Sequence, residues 1–246
     1  MSTLVPVPVH TRVGATHVTV VVPVHDEEAT VHNVLERLLE LPLRPEIIVV
    51  DDGSTDRTPE ILHQWRLTHP DTVVVRQPNR GKGAAVRAGI RRATGDYVVI
   101  QDADLEYDPA NLPALIEPLA AGEADVVYGS RFAGDADRVW AAPNRTGNRA
   151  LSLLTSALYG HWVTDMETGH KAFRREALLA LDLREDDFGI EPEITAQVMR
   201  HHLRLTEIPI TYVGRSHADG KEIHWRDGAR AVRVLIANRF RRLSLG

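Results

Sequence analysis

Five short apolar runs, rich in valine and isoleucine, recur along the first half of the chain. They cover residues 17–24, 46–52, 71–77, 96–104 and 124–132, and a segment with helical character separates each run from the next. Continuous apolar runs of this length are typical of strands that are buried on both faces of a sheet. Strands that alternate with helices form right-handed βαβ units. The sequence therefore predicts an α/β fold with a mainly parallel sheet flanked by helices.

The pattern becomes less regular after residue 133. Helices are predicted at 148–160, 191–202 and 225–243, a strand followed by a helix at 166–181, and a strand-like segment at 203–213. We interpret residues 133–246 as a smaller lobe over the same edge of the sheet, so that 18–246 forms a single domain. Residues 1–17 contain Pro6 and Pro8 and are predicted to be a flexible leader.

Composition excludes several classes of protein. The 246 residues include no cysteine, so neither a disulfide framework nor a thiolate metal site is possible. The formal net charge of −5 gives no case for nucleic-acid binding. No apolar run approaches the roughly 20 residues that a membrane-spanning helix requires, so we expect no transmembrane segment. A cytoplasmic location is the simplest expectation.

Four polar clusters follow the ends of predicted strands: "HDEE", "DDGST", "NRGKG" and "DADLE". Ligands of open parallel sheets bind beyond the carboxyl ends of the strands, so we expect these clusters to share one rim. A carboxylate of "DDGST" can accept hydrogen bonds from a ribose or a base, but taken alone the segment is better interpreted as a turn and helix cap. Taken alone, "NRGKG" is either a phosphate-binding loop that uses Lys82 or a flexible loop with a solvated lysine. The case for a site depends on the convergence of the clusters.

The segment "QDADLEYD" (101–108) carries carboxylates at alternating positions, which are Asp102, Asp104, Glu106 and Asp108. On an extended chain these side chains would point the same way and repel one another. Hard oxygen ligands of this kind can hold Mg²⁺ or Mn²⁺, which would relieve the repulsion. The alternative is an acidic loop at a strand end, but the apolar "YVVI" before it favours the metal. Asp108 precedes a proline and is expected to cap a helix.

The motifs "VVVPVHDEE", "VVDDGSTD", "NRGKGAAVRAG" and "DADLEYDP", in this order, resemble glycosyltransferase family 2, which has the GT-A nucleotide-sugar fold. The resemblance is greatest to dolichol-phosphate and polyprenyl-phosphate sugar transferases. It implies an inverting, metal-dependent transfer of a sugar from a GDP-mannose or UDP-glucose type donor to a polyprenyl phosphate at a membrane surface. Residues 18–132 would then bind the nucleotide sugar, and 133–246 the acceptor.

The resemblance also implies roles for donor-side residues. The nucleoside pocket would be lined by Pro23, His25, Glu27 and Asp52. Lys82 would lie near the nucleotide, and Asp102 would contact the ribose or the sugar. The ligands of Mg²⁺ or Mn²⁺ would be Asp104 and Glu106. A late loop with Arg215 and Lys221 would close over the diphosphate.

On the acceptor side, the arginine of "GSRF", Arg131, would bind the lipid phosphate, because a guanidinium forms a planar fork that fits phosphate. Arg149 and Ser152 would assist it. In "TDMETGHKAF", Asp165 would approach the donor sugar and Lys171 could bind phosphate. His170 replaces an aromatic residue of the family and is expected at the surface.

Two carboxylates stand at a predicted helix start, Glu191 and Glu193, where they suit the helix dipole. The resemblance implies that Glu193 contacts the acceptor or sugar region. If the acceptor is a hydroxyl rather than a phosphate, a base is required, and Asp165 or Glu193 would supply it.

Two other functions stay open. The chain could transfer sugar to a soluble sugar or natural-product hydroxyl, or it could bind nucleotide sugars without turnover. The last helix is basic and amphipathic, which suits either an anionic membrane surface or packing against the domain with its basic face in solvent.

Overall fold

The computed structural model describes residues 17–133, 142–214 and 225–241. Arg215, Lys221 and all of the predicted leader except His17 lie outside the described residues, so the roles given to them stay predictions.

A seven-stranded sheet runs through the described part of the chain in the order β3-β2-β1-β4-β6-β5-β7. The strands are β1 (Val18–Val24), β2 (Glu46–Asp52), β3 (Val73–Gln77), β4 (Tyr97–Ile100), β5 (Val126–Ser130), β6 (Lys171–Arg174) and β7 (Leu205–Pro209). β6 pairs antiparallel with both β4 and β5, and the other pairings are parallel. The predicted α/β architecture with a mainly parallel sheet is confirmed.

Eight α-helices and one 3₁₀ turn accompany these strands in the described residues. They are α1 (Val31–Leu39), α2 (Thr58–Thr68), α3 (Lys82–Ile90), the 3₁₀ turn Pro109–Asn111, α4 (Leu112–Ala120), α5 (Ala142–Tyr159), α6 (Arg175–Leu179), α7 (Ile190–Arg200) and α8 (Trp225–Phe240). α5 begins earlier than the predicted residue 148, because Pro143 is compatible with the first turn of a helix.

The sheet is covered on both faces, which explains the continuous apolar runs. Val21 packs into one hydrophobic cluster, together with residues of α3 and α7. Its neighbours Val20 and Val22 pack into a second cluster with residues of α1 and α4. Successive side chains of a strand point to opposite faces, so a strand inside three layers needs apolar residues at every position. All seven residues of β1 are buried accordingly.

The last helix, α8, packs against the domain through Ala231, Val234 and Leu235, which are buried. Arg230 pairs with Asp187, and the Arg241 guanidinium lies 2.6 Å from Asp182. Ile236 and Phe240 remain exposed on its outer side. Most of α8 therefore packs against the domain, which is the second of the two alternatives considered for this helix. None of the helices in the described residues combines the length and the apolar character that a membrane span requires.

Candidate active site

Three of the polar clusters are joined to one another by hydrogen bonds. The Asp52 carboxylate at the end of β2 is buried and accepts hydrogen bonds from the backbone N–H groups of Arg80 and Gly81, at 3.0 and 2.7 Å. Asn79 lies 3.2 Å from His25, measured between Nδ2 and Nε2. The ends of β1, β2 and β3 therefore meet at one rim, as parallel strands that end together must.

The residues predicted to line a nucleoside pocket differ in exposure. His25 is exposed at this rim, and Glu27 is half-buried and accepts a hydrogen bond of 2.6 Å from the Thr30 hydroxyl. Pro23 is buried within β1, in register with Val50 of β2. Its ring therefore packs in the sheet, and His25 and Glu27 present the accessible groups.

The glycines of "NRGKG" allow a close approach of the second half of the chain. A Cβ atom on Gly81, whose φ angle is +98°, would lie 2.5 Å from the carbonyl oxygen of Asp186. A Cβ atom on Gly83 would collide with the carbonyl oxygen of Glu185. The Ala84 N–H donates to the same Asp186 carbonyl at 2.9 Å. Close packing of the 185–187 loop accounts for both glycines without reference to a phosphate.

Lys82 lies between two carboxylates that belong to different halves of the chain. Its Nζ is 2.8 Å from Asp102 Oδ1 and 2.8 Å from Glu191 Oε1, and only 18% of its side chain is exposed. Burial opposes the charge, but Asp102 and Glu191 outweigh that effect and raise the pKa of Lys82 well above its usual range. Lys82 is therefore a fixed cation at the rim. Glu191, rather than Glu193, is the carboxylate of α7 that reaches it.

The acidic segment is a turn and not the continuation of a strand, so the expectation that β4 extends to residue 104 is wrong. β4 ends at Ile100, and Leu105 has a positive φ of 61°. Asp104 accepts a hydrogen bond of 3.1 Å from the backbone N–H of Glu106. The turn separates side chains that an extended chain would align. The expected cap at Asp108 is confirmed, because its carboxylate accepts from the Ala110 N–H at 2.8 Å.

The two predicted metal ligands have different surroundings. Asp104 is half-buried, whereas Glu106 is only 2% exposed and its Oε2 accepts a hydrogen bond of 2.7 Å from the Tyr212 hydroxyl. No group of three or more His, Asp or Glu side chains in the described residues is arranged to hold a metal ion. However, Mg²⁺ sites commonly use one or two carboxylates, with substrate phosphate and water as the other ligands. Of the two predicted ligands, Asp104 is the more accessible, and the Asp102 carboxylate nearby is held by Lys82.

Gly169 leaves room for Asp102. A Cβ atom at position 169 would collide with Asp102 Oδ2. The Gly169 N–H donates to the Tyr107 hydroxyl at 3.0 Å. The "ETG" segment before β6 therefore packs against the acidic turn at Asp102 and Tyr107.

Arg131 and Asp165 face each other in a buried pair. Arg131 Nε lies 2.7 Å from Asp165 Oδ2, and Nη2 lies 2.7 Å from Oδ1. Asn148 donates to the same carboxylate at 2.9 Å, and the carboxylate has no solvent exposure. The rings of Tyr107 and Tyr212 lie 5.8 and 5.2 Å from the guanidinium carbon. The structure thus brings together two residues predicted to act separately.

A cavity of about 210 Å³ lies next to this pair, between α5 and the segment that follows it. Its lining consists of Phe132, Arg149, Ser152, Leu153, Trp162, Val163 and Thr164. Trp162 and Leu153 are exposed, at 65% and 48%, and Arg149 is exposed as well. The Ser152 hydroxyl is buried and accepts a hydrogen bond from the Met166 N–H at 3.2 Å. Arg149 is therefore the accessible cation of the cavity, and Ser152 supports its wall.

The remaining predicted residues are buried. Glu193 accepts hydrogen bonds from the N–H groups of Arg184 and Glu185, at 2.8 and 2.7 Å, so it shapes the 182–187 loop. The surface prediction for His170 is wrong, because this residue has no solvent exposure. Lys171 is 1% exposed and donates to the Met166 carbonyl at 3.1 Å, so the structure does not support phosphate binding by it. Burial lowers the pKa of Lys171 to about 8.

Comparison with known proteins gives consistent matches. The family model for glycosyl transferase family 2 matches residues 19–181. The low-salt glycan biosynthesis hexosyltransferase Agl6 of Haloferax volcanii is 31% identical over 89% of this chain and 53% of its own length. The undecaprenyl-phosphate 4-deoxy-4-formamido-L-arabinose transferase of Pseudomonas aeruginosa is 33% identical over 83% of this chain and 60% of its own. The chain thus spans a little over half the length of these curated relatives.

Solved structures share the fold. Glucosyl-3-phosphoglycerate synthase from Mycobacterium tuberculosis, in complex with Mn²⁺, UDP-glucose and phosphoglyceric acid, superimposes with a TM-score of 0.68 at 25% identity, over 91% of this chain and 80% of that one. A mannosyltransferase from Pyrobaculum calidifontis, in complex with GDP-Man and Mn²⁺, gives a TM-score of 0.60 at 26% identity, over 90% and 62%. The sequence motifs, the sheet and the family match agree, and the chain belongs to glycosyl transferase family 2.

Proposed function

We propose that this chain is an inverting, divalent-cation-dependent glycosyltransferase that moves a sugar from a nucleoside-diphosphate sugar to a polyprenyl phosphate. The observation that carries the choice of acceptor is the cavity beside Arg131. Four of its lining residues are apolar (Phe132, Leu153, Trp162 and Val163), and Arg149 supplies an exposed positive charge. An acceptor with an anionic head and an apolar chain complements both features, since apolar contact and charge pairing are then satisfied together.

The donor would bind at the rim formed by the ends of β1, β2 and β4. Asp102 is half-buried and offers a carboxylate for ribose or sugar hydroxyl groups, and Lys82 offers positive charge for the diphosphate. Asp52 would support the nucleoside side of this rim through its hydrogen bonds to the backbone N–H groups of Arg80 and Gly81. Arg215 and Lys221 would add further charge. The two solved neighbours bind UDP-glucose and GDP-Man, each with Mn²⁺, so both types of donor are candidates.

A divalent cation would be held by Asp104 and Glu106, of which Asp104 is the more accessible. When bound, Mg²⁺ or Mn²⁺ would offset the negative charge that develops on the leaving diphosphate. Inversion follows if the acceptor oxygen attacks the anomeric carbon from the side opposite the diphosphate.

The environment of the candidate bases supports a phosphate acceptor. A hydroxyl acceptor must lose a proton, but the two predicted bases have their oxygens engaged: Asp165 with Arg131 and Asn148, Glu193 with backbone N–H groups and Arg241. Neither carboxylate can therefore take a proton from a hydroxyl without giving up one of these contacts. A phosphate is already an anion at neutral pH and requires no base.

A polyprenyl phosphate resides in a membrane, so we propose that the enzyme works at its cytoplasmic surface. Ile236 and Phe240, which are 44% and 79% exposed on α8, are apolar side chains suited to such a surface. Association would be peripheral, through exposed apolar side chains and basic residues.

The decisive assay offers GDP-mannose and UDP-glucose, with and without Mn²⁺, to three acceptors: polyprenyl phosphate, the dephosphorylated polyprenol and 3-phosphoglycerate. Cation-dependent transfer to polyprenyl phosphate is expected. Preference for the polyprenol or for phosphoglycerate would favour the hydroxyl-acceptor alternative, and donor binding without turnover would favour a binding protein.

Two exposed leucines allow a matched control for the cavity. Leu153→Asn should raise the KM for polyprenyl phosphate while leaving the KM for the donor unchanged. Leu67→Asn, at a leucine that is 67% exposed on α2, should change neither. Equal acceptor KM values for the two variants would remove the cavity from the proposal.

A further inference from the structure

Glu191 connects the donor rim to the second half of the chain. It lies in the first turn of α7, is only 7% exposed, and places Oε1 2.8 Å from the ammonium of Lys82. The sequence offered only a helix-start role for it. A helix-start carboxylate interacts with its own helix, whereas this one also pairs with a cation from α3, more than a hundred residues earlier in the chain.

Lys82 is held from two sides. Its ammonium lies 2.8 Å from Asp102 Oδ1 and 3.0 Å from Oδ2, and Glu191 completes the group. A lysine stem is flexible and its ammonium is a point charge, so one partner leaves the position of that charge poorly defined. Two carboxylates on opposite elements define it. Two anions around one cation also leave a net negative charge, so Lys82 alone does not neutralise both carboxylates.

The backbone around this group is fixed at the same place. The N–H of Ala84 in α3 donates to the carbonyl of Asp186 at 2.9 Å, four residues before α7 begins. The start of α3 therefore packs against the segment that leads to Glu191. The Lys82–Glu191 ion pair forms at the same contact.

The charge of Glu191 also reaches a second group of ionisable side chains. Burial, and next the negative charge of Glu191, raise the pKa of Glu167 to about 7. Glu167 lies on the loop that carries Asp165 and Gly169, and its Oε1 has no hydrogen-bond partner among the described residues. Glu191 thus influences groups on the loop that also carries the partner of Arg131.

We infer that Glu191 is a positioning residue: it holds the ammonium of Lys82 beside Asp102, so that the donor diphosphate meets a fixed positive charge. The inference rests on the proposed function, in which Lys82 faces the donor. Glu191 itself does not touch the substrate in this scheme.

The test compares Glu191→Gln with Glu176→Gln, a surface control whose side chain is 79% exposed. Glutamine keeps an oxygen acceptor at position 191 but removes the charge. The donor KM of Glu191→Gln should rise about tenfold or more, with a smaller change in kcat, because a hydrogen bond between charged groups is stronger than one to a neutral amide. Glu176→Gln should behave as the unsubstituted chain.

A second readout does not depend on turnover. The rate at which an amine-reactive ester labels Lys82 is measured by peptide mass spectrometry, with and without the substitution at 191. Loss of the Glu191 charge should lower the pKa of Lys82 and increase its labelling several-fold, while labelling of the α-amino group of the chain provides an internal reference. The faster labelling would reflect a larger neutral fraction of the amine.

Unchanged donor KM and unchanged Lys82 labelling in Glu191→Gln, with the unsubstituted chain active, would overturn the inference. A fall in kcat at constant donor KM and constant labelling would also overturn it, because that pattern indicates a structural defect only. If the unsubstituted chain transfers no sugar from any donor, the proposed function fails, and the labelling result still decides whether Glu191 holds Lys82.

Discussion

The Arg131 guanidinium and the Asp165 carboxylate form a buried bidentate ion pair, with Nε–Oδ2 and Nη2–Oδ1 distances of 2.7 Å each. Asp165 also accepts a hydrogen bond of 2.9 Å from the backbone N–H of Arg131. The pair directs the guanidinium edge that carries Nε and Nη2 toward Asp165. Any anion that binds Arg131 must therefore approach a guanidinium whose direction Asp165 has already fixed.

The first prediction concerns Arg131→Lys. Lysine keeps the charge but cannot form two parallel hydrogen bonds, so the cation loses its orientation. We expect transfer to polyprenyl phosphate to fall roughly 10- to 100-fold, the range set by one or two lost charged hydrogen bonds. Hydrolysis of the donor in the absence of acceptor should change far less. Both rates are measured by release of the nucleoside diphosphate.

The matched control for this prediction is Arg204→Lys. Arg204 forms the same kind of bidentate pair with Asp125, at 3.0 and 2.7 Å, but its side chain is 53% exposed and the pair lies at the surface. Exposed ion pairs contribute little to stability, so this variant should retain transfer. Equal activity of the two variants would show that the orientation of Arg131 has no role in transfer.

The second prediction concerns Gly169→Ala. The added methyl group would collide with Asp102 Oδ2, so Asp102 must shift and its contact with Lys82 must lengthen. We expect a loss of donor affinity of about tenfold or more, together with a destabilisation of about 1–3 kcal/mol from overpacking. Isothermal titration with nucleoside diphosphate and Mn²⁺ measures the affinity, and urea unfolding measures the stability.

A glycine without close neighbours provides the comparison. Among the described residues, no atom beyond the local helix backbone lies within 4 Å of a Cβ placed on Gly147, which is exposed in α5. Alanine is favoured over glycine in helices by about 1 kcal/mol, so Gly147→Ala should stabilise the protein and leave donor binding unchanged. The prediction for Gly169 is wrong if its alanine variant binds donor as well as the Gly147 variant does.

The third prediction ranks the carboxylates of the acidic turn. Asp104→Asn should abolish the increase in melting temperature that Mn²⁺ and nucleoside diphosphate give together, because it removes an accessible anionic ligand. Glu106→Gln should retain part of that increase, because Glu106 is buried and its Oε2 accepts a hydrogen bond from the Tyr212 hydroxyl. Asp71→Asn, at an exposed aspartate, serves as the control. A larger loss in Glu106→Gln than in Asp104→Asn would reverse the ranking.

The fold was largely predictable from sequence because the strands are buried on both faces. A strand such as β1 has apolar residues at every position, and its limits therefore follow from composition. β4 was misjudged for the opposite reason. The acids after Ile100 alternate as in a strand, but the positive φ of Leu105 turns the chain, and no local pattern marks a leucine for that conformation.

The sequence predicted which polar residues lie at the rim of the site. It did not predict which of them pair with one another. Strand ends bring Asp52 and Asp102 to one edge by topology alone. Lys82 reaches Glu191, and Tyr212 reaches Glu106, across more than a hundred residues each, and neither pair has a sequence signature. The signal available for Tyr107 and Tyr212 was weak: each is an aromatic residue next to a motif, which is common in buried cores.

The last prediction uses the burial of His170. Both ring nitrogens lack a hydrogen-bond partner within the described residues, and the ring packs 5.4 Å from that of Tyr107. Burial lowers the pKa of His170 from 6.5 to about 4, so the folded protein holds it neutral. The unfolded chain binds the proton at higher pH, and stability is therefore lost as the pH falls from about 6.5 towards 4.

His170→Phe should remove this loss. Phenylalanine has no proton to bind and leaves no polar nitrogen without a partner, and the resemblance to the family gives this position an aromatic residue. Between pH 8 and pH 5 the unsubstituted protein should lose about 2 kcal/mol more unfolding free energy than the variant, measured by urea unfolding at both values. His63→Phe, at an exposed histidine of α2, should show the pH dependence of the unsubstituted protein. Parallel pH profiles for His170→Phe and the unsubstituted chain would mean that His170 is protonated in the folded state, and that the burial of its ring does not control its charge.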